Sequence, residues 1–233
     1  MAKAKAKAKA SGPARRGGPL DLVTILDGKW EDGSRPKDLY AQHIRAAPAV
    51  HVGAIIDGLH STARKVQSGC AELASLLAEE FPETVYPHID EFVANLDANE
   101  KVLRWEAVCT LGCLAGVDAT QRRKRVPAQI PVIGAHLQDE SIVLQGHAVR
   151  ALARIAVAYH KEAPAIVELL VAAADRFPGN RVGFLVEAAE QLAGIESVAA
   201  RLRRFVEPYE SSDVAVVARK ARRALKKLKQ RSV

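Results

Sequence analysis

The sequence predicts an all-α fold, an α-solenoid, and three observations predict it. Leu103-Arg104-Trp105-Glu106-Ala107 is followed by Leu111 and Leu114, and Leu144-Gln145-Gly146-His147-Ala148 is followed by Leu152 and Ile155 at identical offsets. The same template, a large apolar residue with a small residue four later and apolar residues eight and eleven later, occurs five times. Aromatic residues are only 5% of a chain that is 48% hydrophobic, which calls for helices packed through Ala, Val and Leu.

The first copy is Val66, Cys70, Ala74 and Leu77; after the two central copies come Phe184, Ala188, Leu192 and Ile195, then Val217, Ala221, Leu225 and Leu228. Offsets of four, eight and eleven place each set on one helix face, so each copy is an amphipathic helix with one buried stripe. Successive copies start 37, 41, 40 and 33 residues apart. That spacing leaves room for a second helix and two turns per unit, the signature of stacked helical hairpins. The small residues Cys70, Ala107, Ala148, Ala188 and Ala221 let neighbouring helices approach closely.

A proline inside the first helix, an aspartate in the intra-repeat turn and an aliphatic-plus-Arg or aliphatic-plus-Gln pair opening the second helix carry a family resemblance. They are Pro87, Asp97 and Leu103-Arg104 in one unit, and Pro131, Asp139 and Leu144-Gln145 in the next. Residues 49 to 228 thereby resemble the HEAT-repeat family of α-solenoids. The first unit keeps Val66-Gln67 without a clear turn aspartate, and the last two place Leu185 and Ala218 where Arg or Gln is the pattern. Atypical outer units fit an array of about five hairpins with capping helices at both ends. The resemblance implies binding, and its one enzymatic branch, HEAT-like DNA glycosylases, needs concave-face tryptophans and an aspartate. Trp105 alone offers itself, with Ser68, Gly146, Val186 and Arg219 at the same register.

In chain order, residues 1 to 19 carry six cations and no acid, a Lys/Ala-rich tail expected to be disordered. Residues 20 to 48 read as an N-terminal cap, with Trp30 placed to pin it onto the first repeat. The repeat domain, 49 to 233, opens with helices at 49–59 and 62–80, continues with 83–96 and 100–116, and ends in a basic capping helix from Asp213. No apolar run approaches the ~20 residues that span a bilayer, and no apolar segment follows the basic N-terminus as a secretory signal requires. Cytoplasm is the expected compartment, which three cysteines at low density also suit.

The net charge of +7 belongs to the ends: residues 1–19 carry +6, residues 199–233 carry +8 from eleven basic and three acidic side chains, and the middle carries −7. Candidate contacts to an anionic partner are Arg122, Arg123, Lys124 and Arg125, read as opening the next helix, and Arg219, Lys220, Arg222, Arg223, Lys226 and Lys227 on the last one. Cations near a helix N-terminus oppose the helix dipole, and an acidic partner would relieve that. Candidate groove residues are Trp105, Glu106, His147, Arg150 and Arg154. Cys109 and Cys113 share a helix face, and their register equivalents are Arg150 and Arg154 in the next unit and Glu72 and Leu76 in the previous one. They read first as inert buried or half-buried thiols and second as a redox- or metal-sensitive patch. No metal-ligand spacing, phosphate loop or nucleophile elbow occurs, so no cofactor and no catalysis are expected. The expected function is a protein-interaction scaffold whose groove takes a peptide or helix. The competing reading is electrostatic binding of nucleic acid through the basic termini.

Overall fold

The computed structural model describes residues 18–30 and 33–229, and every regular element among them is helical. The charged tail and Arg231 lie outside the described residues. Helices α1 (Leu22–Asp27) and α2 (Pro36–Leu39) pack against α4 (Arg64–Glu80), which pairs with α3 (Pro48–Gly58). The second hairpin is α5 (Pro82–Val85) and α6 (Ile89–Ala94) with α7 (Lys101–Thr120). Pro87 sits in the 3-10 turn Tyr86–His88 that breaks its first helix in two, because proline cannot donate to the preceding turn. The third pairs α8 (Ile130–Ala135) with α9 (Ile142–Ala158), the fourth joins α10 (Ala163–Ala172) to α11 (Val182–Leu192), and the fifth joins α12 (Glu196–Val206) to α13 (Ala215–Lys229). Within one layer α4, α7, α9, α11 and α13 lie side by side; across the other, α3 meets α5, α8 meets α10, and α10 meets α12.

The stripe read from the sequence is the core. Val66, Cys70, Ala74, Leu77, Leu111, Leu114, Ala148, Leu152, Ile155, Val217 and Ala221 are at most 1% exposed. Phe184 is the exception: it is half-buried, with its ring laid over Gly146 of α9. Among the described glycines, approach to a neighbouring helix's backbone is sharpest at Gly112, where a Cβ would stand 2.8 Å from Ala151 Cα, so α7 and α9 touch backbone to backbone.

Polar groups fix the turns. Glu100 accepts from Leu103 N at 2.9 Å and Ser141 from Leu144 N at 3.3 Å, capping α7 and α9. Gln67 Nε2 donates to Leu59 O at 2.9 Å, and the buried Gln145 donates to Asp139 O at 2.8 Å, so this position ties α4 and α9 to their own turns. Arg64–Glu100 at 2.8 Å and Arg104–Asp139 at 4.0 Å link successive units. Trp30 packs on the core, donates to Leu26 O at 2.7 Å, and lies 5.3 Å beneath the Lys65 ammonium.

Helix α7 does not stop at Gly116. It continues through Thr120 because Val117 and Asp118 are both buried, and burial outweighs a glycine stop signal.

Candidate functional site

Four consecutive second helices surround one hollow of about 470 Å³, lined by Glu79 of α4, Gly112, Cys113 and Gly116 of α7, Arg154, Val157 and Ala158 of α9, and Gln191 of α11. Its floor is open at Gly116, where a Cβ would meet nothing within 4 Å, and one wall is Val157, 48% exposed. Between them stands a closed polar triangle. Arg154 Nη1 donates to Cys113 Sγ at 2.6 Å, Arg154 Nη2 to Glu79 Oε1 at 2.5 Å, and Cys113 Sγ to Glu79 Oε2 at 3.3 Å. Burial works to raise the Glu79 carboxyl, but Arg154 and Cys113 hold it below its ordinary value.

Glu79 of α4 and Arg154 of α9 are the charged residues lining the hollow; Glu72 of α4, Glu106 of α7, and His147 and Arg150 of α9 lie on the same helices outside it. Burial raises Glu106 to about 7 against the opposing Ser75 hydroxyl. Burial also raises Glu72, with Lys37 opposing. Of the residues singled out from the sequence, Glu106 and His147 face each other, whereas Glu187, at the same register on α11, is taken by Lys220 at 2.8 Å. Trp105 is half-buried against the core. Arg150 is exposed beside Glu79.

The basic cluster 122–125 is not at a helix N-terminus. It follows the C-terminus of α7, where cations complement the dipole, so the electrostatic conflict read from the sequence does not exist there. The residue that organises this loop, Asp118, carries no sequence motif. Wholly buried, it accepts from Tyr86 OH at 2.6 Å, Tyr159 OH at 2.5 Å, Arg125 N at 3.2 Å and Val126 N at 3.1 Å. Burial and the Asp118 carboxylate push Tyr86 up to about 12 and raise Tyr159 as well. Around this anchor Arg122 and Lys124 adopt left-handed backbone, φ 55° and 57°, at a cost that the four bonds to Asp118 offset. Arg125 pairs with Asp90, leaving Arg122, Arg123 and Lys124 exposed.

The cations of α13 divide into two stripes. Lys220, Arg223 and Lys227 face α11, where Lys220 pairs with Glu187, and Glu190 receives Arg223 at 2.5 Å and Lys227 at 2.7 Å. Arg219, Arg222, Lys226 and Lys229 form the other stripe, exposed and without an ion pair among the described residues; Glu210 borders it. The described residues contain no cluster of three metal-ligating side chains and no helix long and apolar enough to cross a membrane.

Neither a protein-family model nor a curated protein matches the sequence. Solved structures do match. A designed armadillo repeat protein superposes with TM-score 0.63 at 18% identity, covering 89% of this chain and 98% of its own. An engineered protein gives TM-score 0.64 at 21% identity, with 90% of each chain covered. A second designed armadillo repeat protein, solved in complex with the peptide (KR)4, gives TM-score 0.64 at 19% identity over 89% of this chain and 90% of its own. At these identities the likeness is one of fold: the chain is a helical-repeat α-solenoid.

Proposed function

We propose that the chain is a non-catalytic scaffold of the HEAT-like kind that holds an extended peptide across its second helices. The observation that carries this reading is the single hollow shared by α4, α7, α9 and α11, because one cavity bridging successive repeats presents a continuous track rather than a point site. The peptide complex of a structural neighbour supports it. Charge complementarity gives the ligand its polarity: basic residues over Glu72 and Glu79, acidic residues over Arg150. Apolar contact comes from Val157 and Ala158.

Short fluorescent peptides with a Lys-Arg block before or after a Glu block test it by anisotropy titration. One block order is expected to bind, and Gly116→Leu, which fills the open floor and favours the helix, to weaken it at least tenfold, about 1.4 kcal/mol. Absence of binding by both peptides, or equal binding by the variant, would overturn the reading.

A second reading, a phosphate-backbone contact, is favoured by one observation: the outer stripe of α13 has four exposed cations and no aromatic side chain among them. Such a surface binds polyanions without sequence preference. Replacing Arg219, Arg222, Lys226 and Lys229 with Gln is expected to flatten the salt dependence of duplex DNA binding by about 0.9 per lost phosphate contact. An unchanged slope, or no binding at low salt, removes this reading.

A further inference from the structure

A second cavity, of about 520 Å³, opens beside the hollow between two connections of the chain. Lys124 and Pro127, from the loop that follows α7, form one wall, and Tyr159, His160, Lys161 and Glu162, from the turn between α9 and α10, form the other. Val157 and Ala158 line both cavities, so the two meet along the last turn of α9. Two features separate this space from a chance gap between loops.

The first is that its walls are tied together from beneath. The Tyr159 hydroxyl donates to Asp118 at 2.5 Å and accepts from the Lys124 backbone N–H, while Asp118 also takes the Arg125 and Val126 amides. Asp118 is wholly buried, so loop and turn are both fixed against one interior carboxylate. Lys124 has φ 57°, and left-handed backbone of this kind persists where the surroundings enforce it, as they do at ligand-binding positions.

The second is charge. In the hollow Arg154 is engaged by Glu79 and Cys113. In the second cavity Lys124, His160 and Lys161 are exposed and have no ion pair among the described residues, and Arg122 and Arg123 stand exposed on the same loop as Lys124. Glu162 is the one carboxylate on the walls. Two ammonium groups and an imidazole against one carboxylate attract an anion, and lysines meet it as point charges with no fixed plane. A phosphoryl group, with about −1.5 to −2 charge at neutral pH and several acceptor oxygens, suits more than one such donor better than a carboxylate does. Pro127, Val157 and Ala158 supply apolar contact for the carbon atoms that carry it.

We propose that this cavity receives the phosphoryl group of a phosphoserine or phosphothreonine in a peptide held by the hollow, with Lys124 and Lys161 as its main contacts. The peptide itself comes from the binding reading above, on which this assignment rests; the wall shared at Val157 and Ala158 continues its path into the second cavity. Phosphorylation of the ligand thus strengthens its binding, and Glu162 limits the gain.

The test uses the full chain and both fluorescent block peptides, each made with Thr, phosphothreonine or Glu at successive positions. Anisotropy is expected to show at least about tenfold tighter binding for one phosphothreonine peptide than for its Thr twin, with Glu recovering only part of the gain. Lys124→Asn together with Lys161→Gln should abolish the gain; asparagine tolerates the left-handed backbone, so the loop keeps its shape. Glu162→Gln should enlarge the gain, which a damaged loop would not do. Gly116→Leu should weaken the Thr and phosphothreonine peptides alike. Equal binding of the Thr and phosphothreonine peptides at every position, or a gain that survives loss of both lysines, would overturn the proposal and leave the hollow's role standing. Lysine-dependent binding of the phosphothreonine peptide that Gly116→Leu does not weaken would keep the cavity's assignment and overturn the hollow's. Displacement of the phosphopeptide by equimolar inorganic phosphate would assign the cavity to free phosphate and overturn the peptide as its ligand, and no binding by any peptide overturns both readings.

Discussion

Glu106 and Glu190 are carboxylates on the flanks of second helices, one near the centre of the array and one near its end, and their environments drive them in opposite directions. Around Glu106 stand Ser75, Cys109, His147 and Glu72, so burial dominates and the carboxyl rises to about 7. Glu190 is only 9% exposed; burial again pushes upward, but Lys227 and Arg223 outweigh it and hold the carboxyl below its ordinary value. Burial alone makes a carboxylate costly, whereas burial with two cations makes it an anchor. The central α7–α9 contact is accordingly closed by backbone approach at Gly112, and the terminal α11–α13 contact by ion pairs.

Asp118 adds a third environment, a buried carboxylate satisfied by hydroxyl and amide donors, and breaking it should have the largest effect. Asp118→Ala strands two tyrosine hydroxyls and two backbone amides and is expected to cost about 4 kcal/mol in urea denaturation. Next comes the central seam. Gly112→Ala places a methyl against Ala151 and is expected to cost about 2 kcal/mol, although Ala is the better helix former. The smallest and most diagnostic effects are the pH slopes. Glu106 binds its proton more tightly when folded, so its contribution to stability falls as pH rises from about 4.5 to about 7, and Glu106→Gln should remove that slope. Glu190 has its folded pKa depressed, so its contribution is full above about 4.5 and lost as pH falls below it. Glu190→Gln should flatten the acid limb and cost about 1 kcal/mol at neutral pH. Equal pH profiles for the two variants would erase the contrast.

Much of the array was legible because its repeat is written in residue size. The small position predicted from Cys70, Ala107, Ala148, Ala188 and Ala221 is the buried one, and the register that sets Cys113 beside Arg154 follows from counting. Asp118 was not legible. Tyr159 lies 41 residues on, the same repeat step that sets Cys113 beside Arg154, but Asp118 falls beyond the helix end read at Gly116 and so outside the counted register; Tyr86 comes from a broken first helix 32 residues away, a separation the repeat does not encode. Missing it also misplaced the basic loop: with α7 ended at Gly116, residues 122–125 read as the start of a helix instead of a turn folded over a buried carboxylate. On α13 the spacing of the cations was visible, but their division into two stripes depends on Glu187 and Glu190 of α11, about 33 residues away.

That division bears on how copies of the chain meet. Most closed homodimers place the same patch of two subunits together around a two-fold axis. A two-fold contact through the outer stripe of α13 would lay Arg219, Arg222, Lys226 and Lys229 against their own duplicates, with Glu187 and Glu190 already engaged. The exposed end of the array is thus self-repelling at low ionic strength, and added salt screens that repulsion over the ~10 Å of a Debye length.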